Sequence, residues 1–172
     1  MGSELQHEQS REFLSYWRSL NDGHMPSYRV WDPIQIPRLT PWCSIIERGG
    51  ETGYRHRFAG TAICDFYNEE MTGKPIGYRM DEEARAFYFA DIEKLLTRPC
   101  GRIFTVQARS ETGRDCLFET ISVPLADDDG IGFRFVNHQV IIEEITYGEA
   151  KSRFSLPDVA YWFDIGAGVP ED

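Results

Sequence analysis

His56, Asp65 and Glu119 are the residues of this 172-residue chain whose types would matter most to chemistry. An imidazole beside a carboxylate makes a general base near neutral pH, provided the two groups lie within hydrogen-bond reach in one cleft. Glu119 stands out for its company: it shares a strand face with Leu117, Ile121, Val123 and Leu125, where a carboxylate without a partner is costly. It reads either as a pocket carboxylate for a polar ligand group or as a structural pair for Arg57 or Arg109. The other histidines, His7, His24 and His138, are scattered, so no metal-binding spacing is assembled. Cys43, Cys64, Cys100 and Cys116 are equally dispersed, with no CxxC pair, and read as free buried thiols.

Hydrophobic spacing defines the elements that must position these groups. Residues 4–21 predict a helix with Phe13, Trp17 and Leu20 on one stripe, Tyr16 beside them and Asn21-Asp22-Gly23 as the stop. Prolines at 26, 33, 37 and 41 then deny helical continuation, while Tyr28, Trp31, Ile34, Ile36 and Leu39 make the segment too apolar for a solvated linker. Two strands over 44–47 and 54–58 flank a glycine-rich turn, and strict alternation puts Tyr54, His56 and Phe58 on one face. A short helix runs from Thr61, a possible cap, to about Asn68. A longer one runs over 81–97, with Asp81 as cap and Ala84, Phe87, Tyr88, Ile92, Leu95 and Leu96 sharing a face. Strands over 101–110, 116–125 and 131–145 follow, joined by short turns that make them antiparallel neighbours.

The fold class is therefore α+β: about five antiparallel strands with helices gathered on one face, plus an N-terminal helix. Residues 1–40 form the helix and connector, 41–146 the core, and 147–172 a tail whose Leu156, Val159, Tyr161, Trp162, Phe163 and Ile165 predict docking. Hydrophobic residues at 41% and aromatic residues at 13% exclude long disorder. A formal charge of −10, spread along the chain with no basic stripe, argues against nucleic acid and anionic membrane as partners. The first ten residues carry no apolar secretory segment and no run approaches a membrane span, so a cytoplasmic location is expected.

Phe58-Ala59-Gly60-Thr61 leading into a short helix, and Thr72-Gly73-Lys74-Pro75 ending it, resemble a PAS domain. The chain is similar to a bacterial family of small stand-alone PAS proteins, through Tyr16-Trp17-Arg18, Pro26, Asp32-Pro33 with Ile36-Pro37, Tyr54 to Thr61, Thr72-Gly73, Pro124-Leu125 and the closing Asp164 to Pro170. The resemblance implies a five-stranded sheet whose concave face meets helices around a small pocket that senses a ligand or binds a partner. Flavin-dependent photosensory relatives require an asparagine-cysteine pair in a helix motif that Ile63 to Asn68 does not show, and haem-binding relatives place a histidine on the covering helix, where 81–97 has none. No cofactor is expected on these grounds, flavin and haem being disfavoured.

The expected ligand pocket comprises Phe58, Phe66, Tyr67, Phe87, Tyr88, Phe104 and Glu119, although an aromatic stripe of this kind also simply fills a core. Phe13, Tyr16, Trp17 and Leu20 either cap the outer sheet face or pair with a second copy, and a homodimer is favoured, as PAS relatives commonly dimerise through such helices. The leading expectation is a non-catalytic module binding an unidentified small molecule and signalling through a separate protein. The alternative is a small α+β enzyme using His56 with Glu119 or Asp65.

Overall fold

The computed structural model describes residues 5–145 and 159–170. The expected docking contact of Leu156 lies outside them. Among the described residues six antiparallel strands form one sheet: β1 (Cys43–Arg48), β2 (Tyr54–Ala59), β3 (Cys100–Arg109), β4 (Asp115–Ala126), β5 (Gly132–Ile145) and β6 (Val159–Asp164), in the spatial order β2-β1-β5-β4-β3-β6. The first five are those the sequence predicts. The tail adds β6, paired with β3 from Cys100↔Asp164 to Thr105↔Val159 and covering an edge that would otherwise expose unpaired backbone groups. Gly101 makes room for this strand, because a Cβ there would sit 1.9 Å from the ring of Phe163.

On the outer face lies α1 (Glu8–Ser19), whose Ser10, Phe13, Leu14 and Trp17 follow the i, i+3, i+4, i+7 spacing of a buried stripe. They pack on Ile121, Val123, Leu125 and Val136, and Trp17 Nε1 donates to the Pro124 carbonyl at 3.2 Å. Phe13 and Trp17 are 0% exposed, and Tyr16 is tied down by bonds to both backbone groups of Asp32. Of the expected interface residues, Phe13 and Trp17 are therefore spent inside the chain, which is a correction, while Tyr16 and Leu20 remain half-buried. The proline-rich connector follows the same face as three short 3-10 turns at Tyr28–Val30, Pro33–Gln35 and Thr40–Trp42, burying Ile36 and Leu39.

The inner face carries α2 (Thr61–Tyr67) and α3 (Glu82–Thr97). Gly60 and not Thr61 is the cap residue of α2. A side chain there would strike the Pro41 and Thr40 carbonyls at 2.3 Å. Asp81 caps α3 by accepting from Ala84 N at 2.8 Å. Strict alternation fails in β2: Ile45 faces Phe58 but Ile46 faces His56, so Arg57 is an extra residue. Such a bulge inverts the side-chain faces beyond it, leaving Tyr54 and His56 inward while Phe58 joins the α1 cluster. Among the described residues no helix is long and apolar enough to cross a membrane.

Candidate functional site

The inner core is divided. One apolar cluster gathers Ile63, Phe66, Tyr67, Met71 and Phe118 under α2, and another gathers Ile46, Tyr54, Ile76, Ile92, Leu95, Leu96 and Phe135 under α3. Between them is a cavity of about 130 Å³. Cross-strand register explains its floor. Ser44, Asn137, Ser122 and Arg102 occupy one row across β1, β5, β4 and β3, with Gln139, Thr120 and Phe104 in the next row. Ser44, Asn137, Gln139, Thr120 and Phe104 line the cavity directly. A band of buried polar side chains thus crosses a sheet face that is apolar on either side.

Part of that band is internally satisfied. Ser122 Oγ donates to Asn137 Oδ1 at 2.6 Å, and Asn137 is also hydrogen-bonded to the Tyr88 hydroxyl. Arg102 reaches Asp91 of α3 at 2.5 Å and lies over the rings of Phe104 and Trp162. Burial pushes Asp91 up and Arg102 down, each toward its neutral form, against the attraction between them. Two lining atoms, Thr120 Oγ1 and His56 Nδ1, are buried without a hydrogen-bond partner among the described residues.

The roof is formed by α3 and the segment from Met71 to Met80. Gly73 N donates to the His56 carbonyl at 2.7 Å, His56 N to the Lys74 carbonyl at 2.9 Å and Ile76 N to the Tyr54 carbonyl at 2.9 Å, so this segment also closes the β2 edge. Its far end is pinned where Glu69 meets Lys74, Arg79 and Tyr78.

Of the residues expected around a ligand, Tyr67, Phe87, Tyr88 and Phe104 line the cavity. Three do not, and each is a correction. Phe58 is turned to the outer face by the bulge. Phe66 is packed edge-to-face against Tyr67 and Phe118 inside the α2 cluster, where it fills space. Glu119 lies on the outer face and accepts from the backbone N–H groups of Gln6 at 2.7 Å and His7 at 3.1 Å. Neither Arg57 nor Arg109 is its partner there, Arg109 pairing instead with Asp115. The enzymatic alternative needs His56 bonded to Glu119 or Asp65. Glu119 is on the opposite sheet face and Asp65 is exposed on α2. Sequence reasoning missed the polar row, and with it Thr120, Asn137 and Gln139. Each strand offers only one polar pair at alternate positions, Thr120 with Ser122 in β4 and Asn137 with Gln139 in β5, and register is what joins them.

Among the described residues no group of three or more His, Cys, Asp or Glu side chains could hold a metal ion. Cys64 does not line the cavity; its thiol contacts the Ala59 carbonyl and Glu70 Oε1.

Comparison with known proteins places this geometry. The PAS domain family model matches residues 5–138, and no curated protein sequence matches the chain. A light-oxygen-voltage domain studied through a flavin analogue has a TM-score of 0.51 at 10% identity, over 67% of this chain and 86% of that one. The dark structure of the blue-light photoreceptor Aureochrome1 LOV domain gives 0.49 at 11%, over 66% and 84%. A Rhodobacter sphaeroides LOV protein gives 0.46 at 10%, over 65% and 69%. Identities this low speak to the fold alone.

The expectation of no cofactor, with flavin disfavoured, is corrected by the first of these neighbours, a domain described with a flavin analogue. The missing asparagine-cysteine pair bears on thiol chemistry at one helix position and says nothing about non-covalent binding. A volume of about 130 Å³, against roughly 300–1,000 Å³ for drug-sized ligands, suits a single ring. The sheet order, the helices on its inner face and the family match over residues 5–138 lead to one conclusion: this chain belongs to the PAS domain family.

Proposed function

We propose that this chain is a non-catalytic sensor domain of the cytoplasm, in which a small molecule fills the gap between the two inner clusters and its presence is passed to a separate signalling protein. The split core supports the reading best. Protein interiors are close-packed, and buried polar groups are nearly always hydrogen-bonded. A cavity of about 130 Å³ floored by a polar row departs from both rules at one place. Tyr67, Phe87, Tyr88 and Phe104 are the proposed ligand contacts, and residues 1–40 and 147–172 flank a sensing core at 41–146.

A ligand shifts the domain toward whichever packing it prefers. The elements that would respond are already connected to the cavity: α3 through Tyr88 and through the ion pair of Asp91 with Arg102, and β6 through the contact of Arg102 with Trp162. The test is a thermal-shift screen of uncharged, charged and flavin molecules. At a hundredfold excess over Kd a true ligand contributes about 2.7 kcal/mol, which is a rise of roughly 5–10 °C for a chain of this size. Absence of any shift across such a panel contradicts the proposal and leaves a scaffold.

A further inference from the structure

The surroundings of the cavity are balanced in charge. Among the described residues that line it, Arg79 is the one with a permanent charge, and it is engaged by Glu69 and Glu111, with Lys74 also on Glu69. Behind the lining, Asp91 and Arg102 neutralise each other. His56 stays neutral at pH 7 because burial pushes it down to about 4. A charged ligand would lose its hydration here without meeting a free counter-charge.

The two open hydrogen-bonding atoms differ in their neighbours. His56 on β2 faces Ile46 across the strands, whereas Thr120 on β4 faces Gln139 and lies one inward pair from Ser122 and Asn137. Three strand spacings separate β2 from β4, roughly 14 Å, so a molecule of one-ring size engages one end. Thr120, 3% exposed, is the end where a second donor or acceptor stands beside the open one. For size, an engineered cavity of roughly 150 Å³ takes benzene.

We infer that the cavity takes an uncharged molecule of about single-ring size, whose hydroxyl or amide group pairs with Thr120 beside Gln139 and whose apolar body lies against Phe104, Val106 and Ile63. This rests on the sensor reading and adds the ligand's chemical class.

The experiment is calorimetric titration of the full chain with benzyl alcohol, benzamide, benzoate, benzylammonium and toluene, repeated on Thr120→Val and Thr120→Ser. Benzyl alcohol and benzamide bind, and Thr120→Val weakens them about three- to tenfold, the worth of one hydrogen bond. Thr120→Ser, which keeps the hydroxyl, retains them, and toluene is indifferent to either change. Benzoate or benzylammonium binding as tightly as benzyl alcohol overturns the inference, as does unchanged alcohol binding in Thr120→Val. In those cases the sensor reading stands, because the cavity is still occupied. If nothing binds, toluene included, this inference falls, and if the thermal-shift screen is also without effect the sensor reading falls with it.

Discussion

Glu119 holds the start of α1 from across the chain: its carboxylate, 2% exposed on β4, accepts from the backbone N–H groups of Gln6 and His7. Gln6 and His7 are the two residues that lead into α1, and His7 Nδ1 in turn accepts from Gln9 N in its first turn, so the buried carboxylate fixes where the helix enters while satisfying two backbone donors. The residue that looked most like a ligand group therefore docks a helix. Glu119→Ala should destabilise the protein by about 1.5–3 kcal/mol, read by denaturant unfolding, with faster amide exchange confined to residues 6–12. Unchanged exchange there would contradict the docking role.

Asp91 and Arg102 form a buried pair in which each partner's removal leaves the other uncompensated. Arg102→Met or Asp91→Leu alone is expected to cost about 3–5 kcal/mol. The double variant should recover most of that loss, since it removes both buried charges. Additive costs in a double-mutant cycle would show that the pair is not coupled.

Two histidines set the acid limit of stability. His138 is wholly buried, stacked on Phe13, and burial pushes it down to about 4, with His7 adding to the effect; His56 is lowered to about 4 by burial. In the unfolded chain both return to about 6.5, so the unfolded state binds more protons between these values. Stability is then complete above about pH 6.5 and falls as pH drops toward about 4. Glu47 and Asp115, held low by their arginine partners, join in nearer pH 4.5, roughly the free carboxylate range. Melting temperature against pH should slope downward from 6.5 to 5, and His138→Phe should flatten that slope. A flat wild-type profile would contradict it.

Gly101 controls whether β6 can lie on β3. Gly101→Ala places a methyl group within the Phe163 ring and should release β6, raising amide exchange across residues 159–164 while leaving β4 and β5 protected. Protection of β6 equal to wild type would show that the ring has another place to go.

Much of this fold was legible in the sequence, because long periodic segments announce themselves. The stripe of α1, the capped helix from Glu82 to Thr97 and the three long strands all follow from spacing and cap residues. Three features did not. The bulge at Arg57 depends on pairing with β1, which alternation within one strand cannot register. The strand at the tail depends on an open β3 edge and on Gly101. The polar floor escaped because Ser44, Asn137 and Ser122, with Thr120 and Gln139 in the row beside them, are unremarkable singly and line up only through register. Aromatic residues were over-weighted in the candidate site for a related reason: Phe66 fills space and Phe87, 47% exposed, stands toward the rim.

The central claim is that the gap between the two inner clusters is a receptor, and native mass spectrometry of gently purified protein tests it most directly. An occupied cavity gives a population heavier than the bare chain that loses its excess mass on denaturation, with the released molecule restoring thermal stability when added back. A bare-chain mass, together with no stabilisation by any member of the small-molecule panel, would contradict it.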